Sequence, residues 1–339
     1  LGVSITGWMN NPDILFDEKI LQKGAEIVKE VNKEMAAIIG INPAARTTCV
    51  KPSGNASVLL QTASGIHAEH SNMYIRNVQM NKESEITQAI MKTNPYMVED
   101  SVWSAGGTDV VVSFPILPKK GSMYKDDLLG VKHLELVKKA QKHWVEAGTN
   151  EDLCADKGVR HNVSNTIIVD NWEEVEKYVF ENRHSFAGIS FLAMTGDKDY
   201  NQAPNTAVIT AKDMVKKYGN AAVFASGMVV DALKCFNNLW DACSTAKGFG
   251  EDLSLESSEN AMKRDWIRRF GKFADNYLKS DTLLAEHCLK DAYLLHKWNK
   301  IQSTLKTVDW KEDIKERKYT DVDTLAAAAC AGGACEIDF

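Results

Sequence analysis

The chain of 339 residues has no apolar run near the ~18–20 residues that a membrane-spanning helix needs, and its first residues form no basic stretch followed by an apolar one. It has no excess of positive charge. With 40 Lys and Arg against 46 Asp and Glu, the formal net charge is -6, which argues against a protein that binds nucleic acid by neutralising phosphates. Its seven cysteines are irregularly spaced over a long chain, unlike the dense framework of a small secreted domain, and this spacing implies a reducing, cytoplasmic setting. No Gly-Lys-Ser/Thr follows a glycine-rich turn, so a Walker phosphate loop is excluded. There is no internal repeat, and only the tail is of low complexity. What remains, 44% hydrophobic and 25% charged residues, is the composition of a globular protein with room for one large domain or two smaller ones.

The stretch from Thr47 to Leu60, TTCVKPSGNASVLL, organises the reading. A β-branched, apolar run breaks at Pro52-Ser53-Gly54 and resumes with helical potential. A strand–turn–helix junction leaves N–H groups unpaired at the positive end of a helix dipole, which suits a phosphate. The hydroxyls of Ser53 and Ser57 add polar groups, Gly54 permits close approach of the backbone, and Pro52 presets the turn. The plainer alternative is an ordinary loop with an N-capped helix.

Helical spacing predicts helices over 17–39, 83–93, 127–147, 172–182, 211–218, 227–246, 260–278 and 281–306. Gly40 is a good stop for the first of these. Strands are expected at 2–8, 108–115, 162–169 and 187–192. Their alternation with helices of ten to twenty residues implies crossover connections and a mostly parallel sheet, an α/β fold. Ser and Glu at 250–259 read as a linker. The aromatic residues Trp266, Phe270, Phe273, Tyr277, Tyr293 and Trp298 read as the core of the helical part. From Thr324 onward small residues and a Gly-Gly pair cannot build a core, so a mobile tail is expected. It carries Cys330 and Cys335, which could close a disulfide open to attack by another protein's thiolate; a metal pair would need further ligands that the tail lacks.

The order Thr-Cys-Val-Lys-Pro-Ser-Gly (residues 48–54), a short helix, Gly65-Ile66-His67 and Tyr74-Ile75-Arg76 resembles the later barrel region of ribonucleotide reductase large subunits, in the form found in the adenosylcobalamin-dependent (class II), monomeric triphosphate-reductase branch. The resemblance implies the second part of a ten-stranded α/β barrel over 1–248, a helical segment over 249–320 and a redox tail over 321–339. It assigns Pro52, Ser53, Gly54, Asn55, Ala56 and Ser57 to the substrate phosphates. Cys330 and Cys335 become the pair that reduces a catalytic disulfide and is itself reduced by thioredoxin or glutaredoxin. The tyrosine pair by which class I enzymes relay a radical is replaced at the matching place by Phe191-Leu192, so a local radical source, adenosylcobalamin, is implied. The polar run from Gly196 to Pro204 is similar to the class II loop after that strand.

The family's finger loop, Asn-Pro-Cys-Gly/Ala-Glu, does not occur; Asn42-Pro43-Ala44 has only its first two residues. The chain opens on a strand-like Leu1-Gly2-Val3-Ser4, and the expectation is a C-terminal portion, split or truncated, whose partner is an N-terminal reductase portion holding the thiyl cysteine, the general base and the allosteric sites. Cys49, Cys154, Cys235, Cys243 and Cys288 are expected to be buried, inert thiols, with Cys49 notable for lying beside the substrate loop. His67 and His70 invite a catalytic reading, against ordinary loop packing, as does Glu69, although the resemblance puts the base on the finger loop. Asn165 stands where relatives carry Cys and receives no role. Two other readings stay open: a non-catalytic half-barrel that binds a partner through an exposed strand edge, and another phosphate-binding α/β dithiol oxidoreductase.

Overall fold

A computed structural model describes residues 2–194, 200–249 and 258–310. In chain order the elements are β1 (Val3–Ser4), α1 (Pro12–Leu15), α2 (Glu18–Ile39), β2 (Thr48–Cys49), α3 (Asn55–Leu59), β3 (Tyr74–Asn81), α4 (Glu85–Thr93), β4 (Val98–Asp100), β5 (Asp109–Ile116) and α5 (Gly130–Ala140). They continue with β6 (Ile167–Val169), α6 (Trp172–Glu181), β7 (Phe191–Ala193), β8 (Asn205–Ala207), α7 (Ala211–Tyr218), α8 (Ala221–Cys235), α9 (Leu239–Phe249), α10 (Ser258–Tyr277) and α11 (Thr282–Thr304). The described residues divide into two compact units, one within 1–72 and 117–197, the other within 73–116 and 198–339. Among them no helix is long and apolar enough to cross a membrane.

The first unit carries the parallel strands. β1 pairs with β2 and β6 with β7, both in parallel, and a parallel bridge from Val50 to Val163 links the two pairs. Trp8, Met9, Val50, Ile66, Leu134, Trp144, Val163 and Ile167 fill the core between these strands and their helices. α2 begins where the Asp17 carboxylate accepts from Ile20 N and ends at Gly40, whose left-handed φ of 73° lets its N–H reach Ala36 O.

The helix expected over 127–147 changes its hydrogen bonding at its end. α5 gives way to a π-helical turn, Gln141–Glu146. Thr48 Oγ1 donates to Trp144 O at 2.7 Å, and Thr149 Oγ1 donates to Val145 O at 3.0 Å, so hydroxyls take up carbonyls of the widened turn. Gly148 lies so close that a Cβ there would fall 1.9 Å from Thr48 Oγ1.

The second unit corrects the expectation of a mostly parallel sheet. Its four strands run in the order β4-β5-β3-β8 and every pair is antiparallel. β3, which spans Tyr74–Asn81, was not anticipated as a strand: its polar residues Arg76, Asn77, Gln79 and Asn81 hide the apolar alternation. Ile301 and Leu294 of α11 join the apolar clusters of this sheet, Ile301 with Val110 and Val112, and Leu294 with Ile75 and Val208. Helices α7 to α11 pack around Trp266, Phe270, Phe273, Leu239 and Leu289, with Tyr293 against them, which bears out most of the aromatic core; Trp298 packs instead on the sheet's cluster and Tyr277 lies at the surface. The Trp266 indole donates to Met228 O at 2.9 Å. The single helix expected over 227–246 is two, α8 and α9. Asn238 separates them by capping the second, its Oδ1 accepting from Asp241 N at 2.9 Å.

The mixed α/β class therefore holds. Pairing among the described residues ends at β1 and β7, without closure into a barrel. The linker at 250–259 falls mainly outside the described residues, as do Gly196 to Asp199 and the whole cysteine tail. Gly148→Ala is expected to lower stability by about 2–3 kcal/mol, through overpacking against the buried Thr48, in chemical denaturation followed by circular dichroism.

Candidate functional site

The loop after β2 is the candidate site. Strand pairing ends at Val50, and Lys51 turns back so that its N–H donates to Ser4 Oγ at 2.9 Å. Gly54 adopts φ 50° and ψ -126°, a conformation that favours glycine, and nothing lies within 4 Å of where its Cβ would be. α3 follows at once with Asn55, and being five residues long it leaves first-turn N–H groups at the loop. One of these, Ala56 N, is taken by Ser53 O at 3.0 Å. The sequence thus places Pro52 to Ser57 as one turn leading into a helix start, as expected.

The hydroxyls are arranged differently from a set aimed at a ligand. Ser57 is buried, and its Oγ donates to Gly54 O at 2.7 Å. Ser53 Oγ lies 2.7 Å from Thr6 Oγ1 and within 3.4 Å of Ser64 Oγ, and Ser53 N donates to the same Ser64 oxygen at 2.9 Å. Thr6 also takes the N–H of Gly65 at 2.9 Å. Gly65 itself, at φ 55°, sits where a Cβ would be 2.9 Å from Lys51 O. The loop is therefore braced from behind by β1 and the 64–65 turn, while the groups left for a ligand are backbone N–H groups and the exposed Lys51.

Behind this brace lies Asn10, in an Asn-Asn-Pro-Asp run that reads as a turn in the sequence. It is buried, and its carboxamide is fully used. Nδ2 donates to Glu69 Oε1 at 2.8 Å and to Ser122 Oγ at 3.0 Å; Oδ1 accepts from Thr62 Oγ1 at 2.6 Å and Ala63 N at 2.7 Å. Glu69, a candidate base, is buried in this network. His67 Nδ1 lies 3.0 Å from Ser64 O, an ordinary loop contact. His133, not singled out in the sequence, is buried on α5 with Nε2 3.1 Å from Ile66 O, which puts the hydrogen on Nε2. Burial pushes its pKa down to about 4, so it holds the 65–67 turn as a neutral donor.

Cys49, Cys154, Cys243 and Cys288 are buried and Cys235 half-buried, all as free thiols. Burial pushes the Cys49 and Cys235 thiols up, and those of Cys243 and Cys288 to about 12, so these stay protonated at neutral pH. Asn165 is buried and clamps two segments, its Nδ2 donating to Val163 O at 2.7 Å and Gly188 O at 3.1 Å. Phe191 and Leu192 lie exposed on β7, with Phe191 tilted against Trp172 at 6.0 Å between centroids. Cys330 and Cys335 lie outside the described residues.

A class of known proteins, the adenosylcobalamin-dependent ribonucleotide reductases, is similar to the chain over part of its length. Over 123 residues, 36% of the chain, it is 28% identical to a probable adenosylcobalamin-dependent ribonucleoside-triphosphate reductase of Dictyostelium discoideum, reaching 16% of that protein. Over 214 residues, 61% of the chain, it is 23% identical to the adenosylcobalamin-dependent ribonucleoside-triphosphate reductase of Euglena gracilis, reaching 27% of it. The chain thus spans less than a third of the length of either curated relative. A solved B12-dependent (class II) ribonucleotide reductase is similar with a TM-score of 0.49 at 18% identity, over 57% of this chain and 26% of that one. No family model matches the chain.

Two tests bear on the brace. Asn10→Ala should cost about 2–4 kcal/mol in urea unfolding, since it removes the acceptor of two donors, Thr62 Oγ1 and Ala63 N, and a hydrogen bond to the buried Glu69. Because the folded pKa of His133 lies below the ordinary 6.5, unfolding takes up a proton in acid. Its contribution is intact above pH 6.5 and falls by about 3 kcal/mol as the pH drops toward 4. His133→Gln should remove that part of the stability–pH slope.

Proposed function

We propose that the chain is the C-terminal, substrate-phosphate part of an adenosylcobalamin-dependent ribonucleoside-triphosphate reductase, working in the cytoplasm. The observation that carries this reading is the partial similarity to two curated reductases of that name, together with the open, glycine-turned loop at 52–57 that the sequence marks out for phosphate. In this reading the N–H groups at the start of α3 and the positive charge of Lys51 hold the ribonucleotide's phosphates, and the Thr6–Ser53–Ser64 cluster keeps the loop rigid. Removal of the ribose hydroxyl as water takes two electrons. These come from a pair of thiols that becomes a disulfide, and Cys330 and Cys335 carry the replacement electrons from thioredoxin or glutaredoxin.

The thiyl cysteine and the general base are assigned to an N-terminal portion with the Asn-Pro-Cys-Gly-Glu loop. The outer edge of β7, which pairs with nothing among the described residues and exposes Phe191 and Leu192, favours such an association. Adenosylcobalamin, when bound, supplies the radical.

The test is reconstitution. Nucleotide reduction is expected when this chain is mixed with an N-terminal portion bearing Asn-Pro-Cys-Gly-Glu, in the presence of adenosylcobalamin and a dithiol, and not with either part alone. Cys330→Ser with Cys335→Ser should abolish thioredoxin-driven turnover while sparing turnover driven by a small dithiol. A mixture that neither binds adenosylcobalamin nor turns over would overturn the proposal.

A further inference from the structure

One face of the antiparallel sheet forms the floor of a cleft of about 380 Å³ within the second unit. Alternate residues of a strand share a face, so Asn77 and Gln79 of β3 stand side by side there, with Val111 of β5 opposite Gln79. Both carboxamides are locked. Asn77 Nδ2 donates to Ala203 O at 2.7 Å while its Oδ1 accepts from Ser113 Oγ at 2.8 Å, and Gln79 Nε2 donates to Asp109 Oδ2 at 2.7 Å. Neither can flip without losing a partner. A carboxamide has two N–H donors and two acceptor lone pairs, so each keeps a donor and an acceptor to spare.

The walls of the cleft are aromatic and tied down. Trp103 and Tyr200 line it, 61% and 45% exposed, edge to face with ring centroids 5.9 Å apart. Trp103 Nε1 donates to Asn201 O at 3.1 Å, and Val102 N donates to Gln202 Oε1 at 2.9 Å. Gln202 Nε2 in turn donates to Glu99 Oε1 at 3.1 Å and to Asp100 O at 2.8 Å. Gln202 makes these bonds from φ 60°, a left-handed conformation that costs a residue with a side chain and persists where its surroundings impose it. Two segments far apart in the chain are thus joined into one fixed wall, which spares a ligand the entropy of ordering it.

Fixed aromatic faces beside fixed amide edges select a flat ring with donors next to acceptors. Adenine is the base that carries an amino donor beside a ring-nitrogen acceptor on two of its edges, the counterpart of two carboxamides with a donor and an acceptor each; it also stacks on Trp or Tyr. No charged side chain lines the cleft among the described residues, so a phosphate gains nothing inside it. A protein surface laid across the cleft would bury the spare donors and acceptors unpaired, which a ring of matching edges avoids.

We infer that this cleft binds the base of an adenine nucleoside, stacked against Trp103 and held at its edges by the carboxamides of Asn77 and Gln79. The inference does not depend on the reductase reading.

Calorimetric titration of the full chain with adenosine, which has no phosphate, tests it. Saturable binding is expected, with ATP no tighter than adenosine, no competition by tripolyphosphate, and uridine weaker by roughly tenfold. Trp103→Ala should weaken adenosine by roughly tenfold, and Trp103→Phe should restore most of the loss, since a ring still stacks there. Gln79→Ala should narrow the preference for adenosine over uridine and leave circular dichroism unchanged, because Gln79 is exposed. No binding at millimolar adenosine overturns the inference. So does binding that tripolyphosphate abolishes, which would put the ligand on the loop at 52–57, or binding indifferent to Trp103 and Gln79.

Discussion

The carboxamide of Asn10 is the point on which the candidate site rests. Buried polar atoms must be paired, and Asn10 pairs all of its own at once with Glu69, Ser122, Thr62 and Ala63. Those partners lie in the turn after α3, the segment just beyond His67 and, more than fifty residues further on, the approach to α5. The cost of leaving any one of them unsatisfied makes their mutual position stiff. Thr6, four residues earlier, carries that stiffness to Ser53 and Gly65. The glycine turn at Gly54 thereby stands on a base held by side-chain hydrogen bonds.

Around this base the two kinds of sheet divide the labour. The parallel strands β1, β2, β6 and β7 end in loops, and the candidate site is one of these loops. The antiparallel sheet with α7 to α11 forms a separate unit with its own apolar clusters, among them the one around Trp266. The chain's apolar residues are spent differently in the two. The first unit leaves Phe191 and Leu192 of β7 and one side of α2 bare, whereas the second exposes single apolar side chains on its helices, Val223 and Leu283 among them.

Much of this was legible in the sequence, for identifiable reasons. α2 and α6 carry their own caps, Asp17 and Asn171, and α7 spans the residues its periodicity marks. The loop at 52–57 announced itself through Pro52 and Gly54. Hidden were the features that depend on distant partners. β3 alternates poorly because Asn77 is spent on Ala203 O and Ser113 rather than left to solvent. The break at 236–238 is set by one side-chain cap inside an otherwise apolar run. Asn10 looked like a turn residue because burial of a carboxamide leaves no local trace; the signal was its setting, between a strand and Pro12, opposite a Glu69 that itself needed a partner. Thiol burial, by contrast, followed from the apolar surroundings of Cys243 and Cys288.

The π-helical turn at Gln141–Glu146 makes the chain's length at this point part of its specification. Such a turn holds one residue more than an α-helix of the same rise. Deleting a single residue here would let the turn tighten into regular α form while the helix before it and the chain after it keep their phase, because the extra residue is what the widened turn absorbs. The change would fall on the turn itself: Trp144, whose indole donates to Cys49 O at 3.0 Å, and the carbonyls that take the hydroxyls of Thr48 and Thr149 all belong to it. The length of the chain at this point therefore sets how the turn meets β2, and leaves the direction of the rest of the helix untouched.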